Sequence, residues 1–166
     1  MLLSGEDTSS QSILACWLLL HLATNATWKS KATAEILCLI SKYSTGNSNS
    51  SDSLQTRLST IPISAWEDEL PALDLAIRET IRIALSGTAF RRNLVDDLAI
   101  SGKVIEKGTF MVYSLADVHL DPEIYPNPLT FDPERFLEGR DEDKQHNMSY
   151  LGWGAGRFYI TFIFPC

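Results

Sequence analysis

The chain has 166 residues, of which 45% are hydrophobic and 21% are charged, a composition typical of a folded domain and not of a disordered tail. Its 14 basic and 21 acidic side chains give a formal net charge of −7, which argues against the basic face that a nucleic-acid-binding protein needs. Cys16, Cys38 and Cys166 stand at unrelated spacings and so exclude a disulfide framework and a CxxC-type zinc site.

The most apolar stretch of the sequence, residues 13–23, is too short to cross a membrane, because a spanning helix needs about 20 apolar residues. No basic segment precedes it, as one would in a signal peptide. We therefore expect neither a transmembrane helix nor a secretion signal in this sequence.

Residues 7–43 have the apolar spacing of a helix. The first half has little polar face, so we expect it to be buried on most sides. Thr24, Asn25 or Thr27 could interrupt the helix and cap a second one. The second helix carries apolar residues at helical spacing, namely Trp28, Ala32, Ile36, Leu39 and Ile40.

The middle of the chain contains a polar loop followed by a strong helix. Residues 44–53 lack apolar side chains, which predicts a flexible surface loop. Ser64 and Glu67 have the spacing of a capping box, with Ser64 as the N-cap of a helix that ends before Gly87. Pro71 interrupts this stretch, so two short helices could meet there.

From residue 95 onward the pattern changes to short strands and turns. Residues 98–105 flank the pair Ser101-Gly102 and predict a hairpin, and residues 109–113 predict a further strand. Four prolines between residues 122 and 133 predict an ordered series of turns without a regular element. The fold class expected from these elements is mainly α with a small antiparallel β-sheet (α+β).

Short motifs follow one another in the second half of the chain. Glu79 and Arg82 lie three residues apart on the predicted helix and so share one face. Residues 131–136 read FDPERF and residues 150–157 read YLGWGAGR, with IEKGT at 105–109 and HLDP at 119–122 between the first motif and the last two. In this order and spacing, the set resembles the C-terminal half of a cytochrome P-450, a haem-thiolate monooxygenase, and its wording resembles fungal members.

The resemblance implies a partial cytochrome P-450 fold that runs from the end of the I helix to the start of the cysteine-pocket loop. Residues 1–157 would form this partial domain, with the J and K helices, a β hairpin and the proline-rich meander. Residues 158–166 match nothing in the family pattern. We expect that this tail comes from an error in the gene model, such as a read-through intron or a frameshift, or from a truncation.

The resemblance also implies roles for individual residues. Glu79, Arg82 and Arg135 would form a buried salt-bridge triad behind the haem. Arg92 would bind a haem propionate, with Arg91 as the alternative. The remaining candidates for cofactor binding are His119, which could instead be a structural histidine, and the motif residues Trp153, Gly154, Gly156 and Arg157.

Residues 4–9 resemble the oxygen-activating motif of the family, in which an acid and a hydroxyl relay protons to dioxygen. Asp7 and Thr8 would be the catalytic pair. The alternative is that these side chains only cap the start of a helix, because the motif lies about two residues out of the usual register.

The cysteine that ligates the haem iron in this family would stand three residues after Arg157, and Ile160 occupies that position. Isoleucine cannot bind iron, and Cys166 lies six residues further on, so we expect no metal ligand. By resemblance the function is a haem b monooxygenase that inserts one oxygen atom from dioxygen into a small apolar substrate.

The expected partners are an NADPH-dependent reductase and, for a full-length parent, the endoplasmic reticulum membrane through an anchor that this sequence lacks. We expect the chain as given to be inactive and not to retain haem. The alternative to the monooxygenase function is that the chain is a non-catalytic fragment, a pseudogene product, or a scaffold that only mediates an interaction.

Overall fold

The computed structural model describes residues 6–44, 53–84 and 87–152, with no description of the side chains of residues 6–10 and 89. The chain divides into two compact units, of which the first comprises residues 1–81 and 131–134 and the second residues 82–130 and 135–166. The predicted polar loop lies largely outside the described residues.

Six helices and four strands account for the regular structure of the described residues. The helices are α1 (Glu6–Thr24), α2 (Ala26–Tyr43), α3 (Leu54–Ser59), α4 (Ile63–Asp68), α5 (Pro71–Ala84) and α6 (Leu115–His119). The strands are β1 (Thr88–Arg92), β2 (Leu98–Ile100), β3 (Lys103–Ile105) and β4 (Phe110–Ser114). Short 3-10 helices follow at Pro133–Phe136 and Glu142–Lys144. This content confirms the expected α+β class.

The predicted break in the first long helix is confirmed, and Asn25 is the residue that makes it. Its backbone is extended, and its side-chain Oδ1 accepts the backbone N–H of Trp28 at 3.2 Å. An N-cap of this kind satisfies one of the donors that the first turn of a helix leaves unpaired. Asn25 therefore ends α1 and begins α2 with a single side chain.

The expectation that the first helix is buried on most sides is wrong. Ile13, Leu19 and Leu20 are all more than half exposed, and Trp17 is 43% exposed. A helix that is apolar all round needs neighbours on every side to be buried. Among the described residues, α1 contacts α2 and the ring of Phe131, and these neighbours leave Ile13, Leu19 and Leu20 largely exposed.

The apolar core of the first unit lies where α2 meets α4 and the segments on either side of α4. Its buried residues are Leu39, Ile40, Ile61, Ala65 and Leu70. The helical spacing of the apolar residues in α2 predicted the first two of these correctly. The remaining three come from the short helix and its flanks, which the sequence patterning did not resolve as a core.

The predicted capping box at Ser64 and Glu67 is wrong. The helix α4 begins two residues earlier than that cap implies, and its N-cap is Pro62, which has no side-chain cap hydrogen bond. The ring of Pro62 fixes the extended backbone of this position in place of a capping side chain. The predicted junction at Pro71 is confirmed, because α4 ends at Asp68 and α5 begins at Pro71.

The second unit contains two antiparallel strand pairs. The predicted hairpin is confirmed as β2 and β3, which are joined by Ser101 (φ 48°) and Gly102 (φ 76°). Two successive residues with positive φ form the turn type that matches the twist of a two-residue hairpin. The predicted strand near residue 110 is β4, and it pairs with β1, a strand that the sequence did not predict.

No helix within the described ranges is both long enough and apolar enough to cross a membrane.

Candidate functional site

The two charged residues of the first motif are both completely buried on α5. One carboxylate oxygen of Glu79 accepts the backbone N–H of Asp132 at 3.1 Å. The guanidinium of Arg82 donates to the carbonyl oxygens of His119 at 2.5 Å and Pro128 at 2.7 Å. Buried charges are expensive unless they are hydrogen-bonded, and both groups meet this requirement by holding backbone of the proline-rich segment.

The start of α5 is stabilised by a residue from another helix. The carboxylate of Glu35, on α2, accepts the backbone N–H groups of Ala72 at 2.8 Å and Leu73 at 3.1 Å. These donors belong to the first turn, which has no intrahelical acceptors, and a negative charge there is favoured by the helix dipole. Sequence reasoning missed Glu35, because its partners lie 37 and 38 residues further on.

Arg135 is the second buried arginine, with 1% of its surface exposed. It forms an ion pair with Glu142, and Arg140 donates to the other oxygen of the same carboxylate at 2.5 Å. The guanidinium also donates to the carbonyl oxygens of Pro126 at 3.4 Å and Thr130 at 3.2 Å. Arg135 therefore binds both a carboxylate and the backbone of the proline-rich segment.

Tyr125 lies against both buried arginines and is itself fully buried. The guanidinium carbon of Arg82 is 4.8 Å from the centre of its ring, and that of Arg135 is 5.8 Å away. The negative face of an aromatic ring attracts cations, so this ring offsets part of the cost of burying two positive charges. Its hydroxyl donates to the carbonyl oxygen of Ser149 at 2.8 Å.

All three predicted triad members, Glu79, Arg82 and Arg135, are buried and hydrogen-bonded. Direct pairing among the three remains a prediction. Two participants were not predicted: Tyr125 and Glu142. The signal that could have found Tyr125 is its position among four prolines, where a large aromatic residue has few reasons to occur unless it is buried.

His119 closes α6 and is completely buried. Its Nε2 atom accepts the backbone N–H of Leu151 at 2.9 Å, and its ring stacks on that of Tyr150 with centres 5.4 Å apart. Burial, together with the positive charge of Arg82, lowers the pKa of His119 to about 4. The imidazole is therefore neutral at pH 7, and its Nδ1 atom has no hydrogen-bond partner among the described residues.

Arg92 ends β1 and lies at the surface. Its Nε atom donates to the carbonyl oxygen of Gly108 at 3.1 Å, and its guanidinium carbon lies 5.2 Å from the ring centre of Phe110. Successive strand residues point to opposite faces, so Arg91 is directed away from this side of the strand. The exposed fork of Arg92 has the geometry to bind a carboxylate in two-point fashion.

Asn93 positions the loop on which Arg92 rests, a role that the sequence analysis did not predict. Its buried side-chain amide donates to the carbonyl oxygens of Asp96, Ile105 and Glu106, and its own backbone carbonyl accepts the N–H of Gly108 at 2.7 Å. The backbone N–H of Asn93 also donates to the carbonyl oxygen of Thr109 at 2.9 Å, so the pairing of β1 with β4 continues one residue beyond Arg92.

A half-buried histidine lies in the first unit. The ring of His21, near the end of α1, stacks on Phe131 with centres 4.6 Å apart and planes 5° apart. Burial lowers the pKa of His21, and the charge of Glu79 opposes this shift. Phe131 is the first residue of the FDPERF motif, so this stack attaches α1 to the motif.

The remaining predicted site residues lie outside the description. The helix α1 includes positions 7 and 8, but the side chains of Asp7 and Thr8 are not described. The motif residues Trp153, Gly154, Gly156 and Arg157, and the expected axial position Ile160, also lie outside the described residues. Their roles stay predictions.

The described residues fit one part of a haem and not another. The exposed guanidinium of Arg92 suits a propionate carboxylate. Within the described ranges, no group of three or more His, Cys, Asp or Glu residues is arranged to hold a metal ion, and the two cysteines of this part, Cys16 and Cys38, are exposed. The described residues therefore supply a carboxylate partner but no iron ligand set.

The known proteins that are similar to this chain include several named as cytochrome P450 monooxygenases. The chain is 37% identical to "Cytochrome P450 monooxygenase AacuE" of Aspergillus aculeatus, over 82% of this chain and 27% of that protein. It is 32% identical to "Cytochrome P450 monooxygenase dmxR5" of Cryptosporiopsis, over 90% of this chain and 28% of that protein. The chain thus spans about a quarter of the length of these relatives.

Solved structures share the fold. The retinoic acid bound cyanobacterial CYP120A1 matches with a TM-score of 0.64 and 24% identity, over 86% of this chain and 29% of that one. A zebra fish cytochrome P450 solved with progesterone matches with a TM-score of 0.61 and 24% identity, over 87% of this chain and 28% of that one. The family model for cytochrome P450 matches residues 1–157. The chain belongs to the cytochrome P450 family.

Proposed function

We propose that this chain is part of a haem-dependent monooxygenase that inserts one oxygen atom from dioxygen into a small apolar substrate. Its most similar relatives include fungal proteins named as monooxygenases. The observation that carries the proposal is the burial of Arg82 and Arg135, which bind the carbonyl oxygens of the proline-rich segment. This arrangement gives a rigid support on which a cofactor pocket can be built.

Haem b, when bound, supplies the oxygen chemistry, and the protein supplies binding, orientation and proton delivery. Arg92 would hold a propionate through its exposed guanidinium, while Gly108 and Phe110 keep that side chain in place. Glu79, on α5, would hold the FDPERF motif through the backbone N–H of Asp132. Each of these residues acts by holding a group in position.

Asp7 and Thr8 would move protons toward dioxygen if residues 4–9 are the oxygen-activating motif. A carboxyl and a hydroxyl can each take part in a proton relay through hydrogen bonds or bridging water. Both positions lie in the first turns of α1, the helix on which the family resemblance places this motif. The alternative role, capping the start of α1, would leave this part of the chain without a proton relay.

The chain as given would not bind haem through a thiolate, because Ile160 stands at the position of the axial cysteine. A thiolate donates electron density to the iron, and an isoleucine side chain has no lone pair with which to do so. We therefore propose that this chain does not turn over. A non-catalytic product of the same family, including a scaffold that only binds a partner, is the second candidate, and Ile160 is the observation that favours it.

A full-length monooxygenase of this family would require an NADPH-dependent reductase as electron donor, and we propose the endoplasmic reticulum membrane as its location. "Thromboxane-A synthase" of Mus musculus is 40% identical over 54% of this chain and 17% of that protein. The substrate class is proposed only as small and apolar.

The test is reconstitution of the full 166-residue chain with hemin, followed by reduction and addition of carbon monoxide. We expect no thiolate-type absorption band from the chain itself and a clear band from Ile160→Cys. The matched control is Ile163→Cys, which places the thiol three residues away and should give no band. A thiolate-type band from the unaltered chain overturns the proposed inactivity. Absence of this band in Ile160→Cys overturns the proposed haem site.

A further inference from the structure

His119 connects two parts of the second unit that are distant in sequence. Its carbonyl oxygen accepts from the Arg82 guanidinium, and its Nε2 atom accepts the backbone N–H of Leu151, 32 residues further on. Tyr150, the residue before Leu151, stacks on the imidazole and also meets the ring of Phe136 edge-on at 5.7 Å. The imidazole is completely buried, and Tyr150 is partly buried.

The hydrogen bond to Leu151 fixes the chemical state of the imidazole. Nε2 can accept an N–H only when it carries no proton, so the single proton of the neutral ring must lie on Nδ1. A charged imidazole has two donors and no acceptor, and so could not form this bond. His119 is thus specified as a neutral acceptor by its geometry.

The hydrogen bond between His119 and Leu151 lies just before the WGAGR motif in the sequence. Leu151 is 3% exposed and stands two residues before Trp153, the first residue of the WGAGR motif. We propose that His119 is a positioning residue that fixes the entry of the chain into the WGAGR motif by accepting the N–H of Leu151. This inference rests on the proposed function only in taking that motif as part of the haem site.

A structural role without consequence for the motif predicts something different. In that case, loss of the bond would expose the Leu151 amide and leave the following residues unaffected. A positioning role requires that the disturbance reach Trp153, whose indole N–H gives its own resonance in a nitrogen–proton spectrum. The two roles can therefore be separated without any measurement of activity.

The experiment compares three variants of the full chain by amide hydrogen exchange and by two-dimensional nitrogen–proton NMR spectroscopy. His119→Phe keeps an aromatic ring for Tyr150 and removes the acceptor, whereas His119→Gln offers an amide oxygen close to the place of Nε2. The matched control is His146→Phe, which changes an exposed histidine that precedes the same segment.

We expect the Leu151 amide to exchange about tenfold faster in His119→Phe, with a shift of the Trp153 indole resonance. His119→Gln should restore most of both signals, and His146→Phe should change neither. Unchanged Leu151 exchange in His119→Phe overturns the proposal, as does faster exchange with an unmoved Trp153 resonance.

Two further measurements keep the proposal testable on its own. If His119→Phe fails to fold, the unaltered chain still tests the proposal. The NMR resonances of its imidazole nitrogens show whether Nε2 of His119 carries a proton. A proton on Nε2 overturns the proposal. Reconstitution of Ile160→Cys with hemin is run separately. Absence of a thiolate-type band in that variant contradicts the proposed haem site, while the exchange result continues to decide the positioning role.

Discussion

The buried guanidinium of Arg135 pairs with the carboxylate of Glu142, seven residues further along the chain. Both side chains are almost completely excluded from solvent, with 1% and 7% of their surfaces exposed. A pair of this kind contributes less to stability than its short contact suggests, because both charges lose their hydration. Removal of only one of the two charges is costly, because the other charge stays buried without this partner.

We expect Glu142→Gln to destabilise the protein by about 3 kcal/mol, because the substitution leaves the buried charge of Arg135 without this carboxylate. Urea unfolding, followed by circular dichroism, measures the change. Glu138→Gln is the matched control, since it removes an exposed carboxylate from the same segment and should alter the free energy of unfolding by less than about 0.5 kcal/mol. Equal unfolding curves for the two variants would contradict the buried pair.

The carboxylate of Glu35 should stabilise the start of α5. Glu35→Ala removes the acceptor of two backbone N–H groups, and we expect a loss of about 1–2 kcal/mol. The control is Glu67→Ala, because Glu67 is exposed on α4 and the capping role that its sequence position suggested is absent. A larger loss in Glu67→Ala than in Glu35→Ala would show that the cap has been assigned to the wrong residue.

Asn25 and Ser64 offer a direct comparison between an observed N-cap and a falsely predicted one. Asn25→Ala should cost about 1 kcal/mol, because the N–H of Trp28 loses its acceptor. Ser64→Ala should have almost no effect, since Ser64 lies inside α4 and not at its cap. Thermal unfolding of both variants, with the unaltered chain as reference, distinguishes them, and a similar loss for both would be inconsistent with Pro62 as the cap of α4.

The stability of the protein should fall as pH falls from about 6.5 to about 4 because of His119. In this range, the unfolded histidine binds a proton and the native one, with a pKa of about 4, does not. The unfolded state therefore takes up more protons, and the native state loses about 3 kcal/mol across the range. Above about pH 6.5, His119 is neutral in both states and contributes no pH dependence.

The measurement that isolates this effect is the pH dependence of the free energy of unfolding in the unaltered chain and in His119→Gln. The carboxylates titrate equally in both, so the difference between the two profiles reports His119. We expect the two curves to diverge as the pH is lowered through this range, with the unaltered chain losing more stability. Parallel profiles would be inconsistent with a buried neutral histidine.

Features that depend on neighbours in sequence were predictable from the sequence. The break near Asn25, the hairpin at Ser101-Gly102 and the start of α5 at Pro71 all follow from the conformational preferences of single residues. The charged positions 79, 82 and 135 were found through the order of short motifs, because an acid and a base three residues apart are ambiguous alone.

Features that depend on distant residues were not predictable. Glu35 is 37 residues from its nearest partner, and Tyr125 is 24 residues from the carbonyl that its hydroxyl binds. Nothing local marks Glu35 as different from other glutamates, and the only local mark of Tyr125 is its position among the prolines. The burial of α1 was predicted wrongly for a related reason, because hydrophobicity shows what a surface favours and not which neighbours are available to cover it.

The proline-rich segment between Pro122 and Pro133 has a consequence for the order of folding. Proline has no N–H, so this segment is rich in acceptors and poor in the donors from which local hydrogen bonds are made. Arg82 and Arg135 provide those donors, and Arg82 reaches Pro128 across 46 residues of chain. Loop closure over that distance must precede the bond. We therefore expect this segment to be among the last to form during folding.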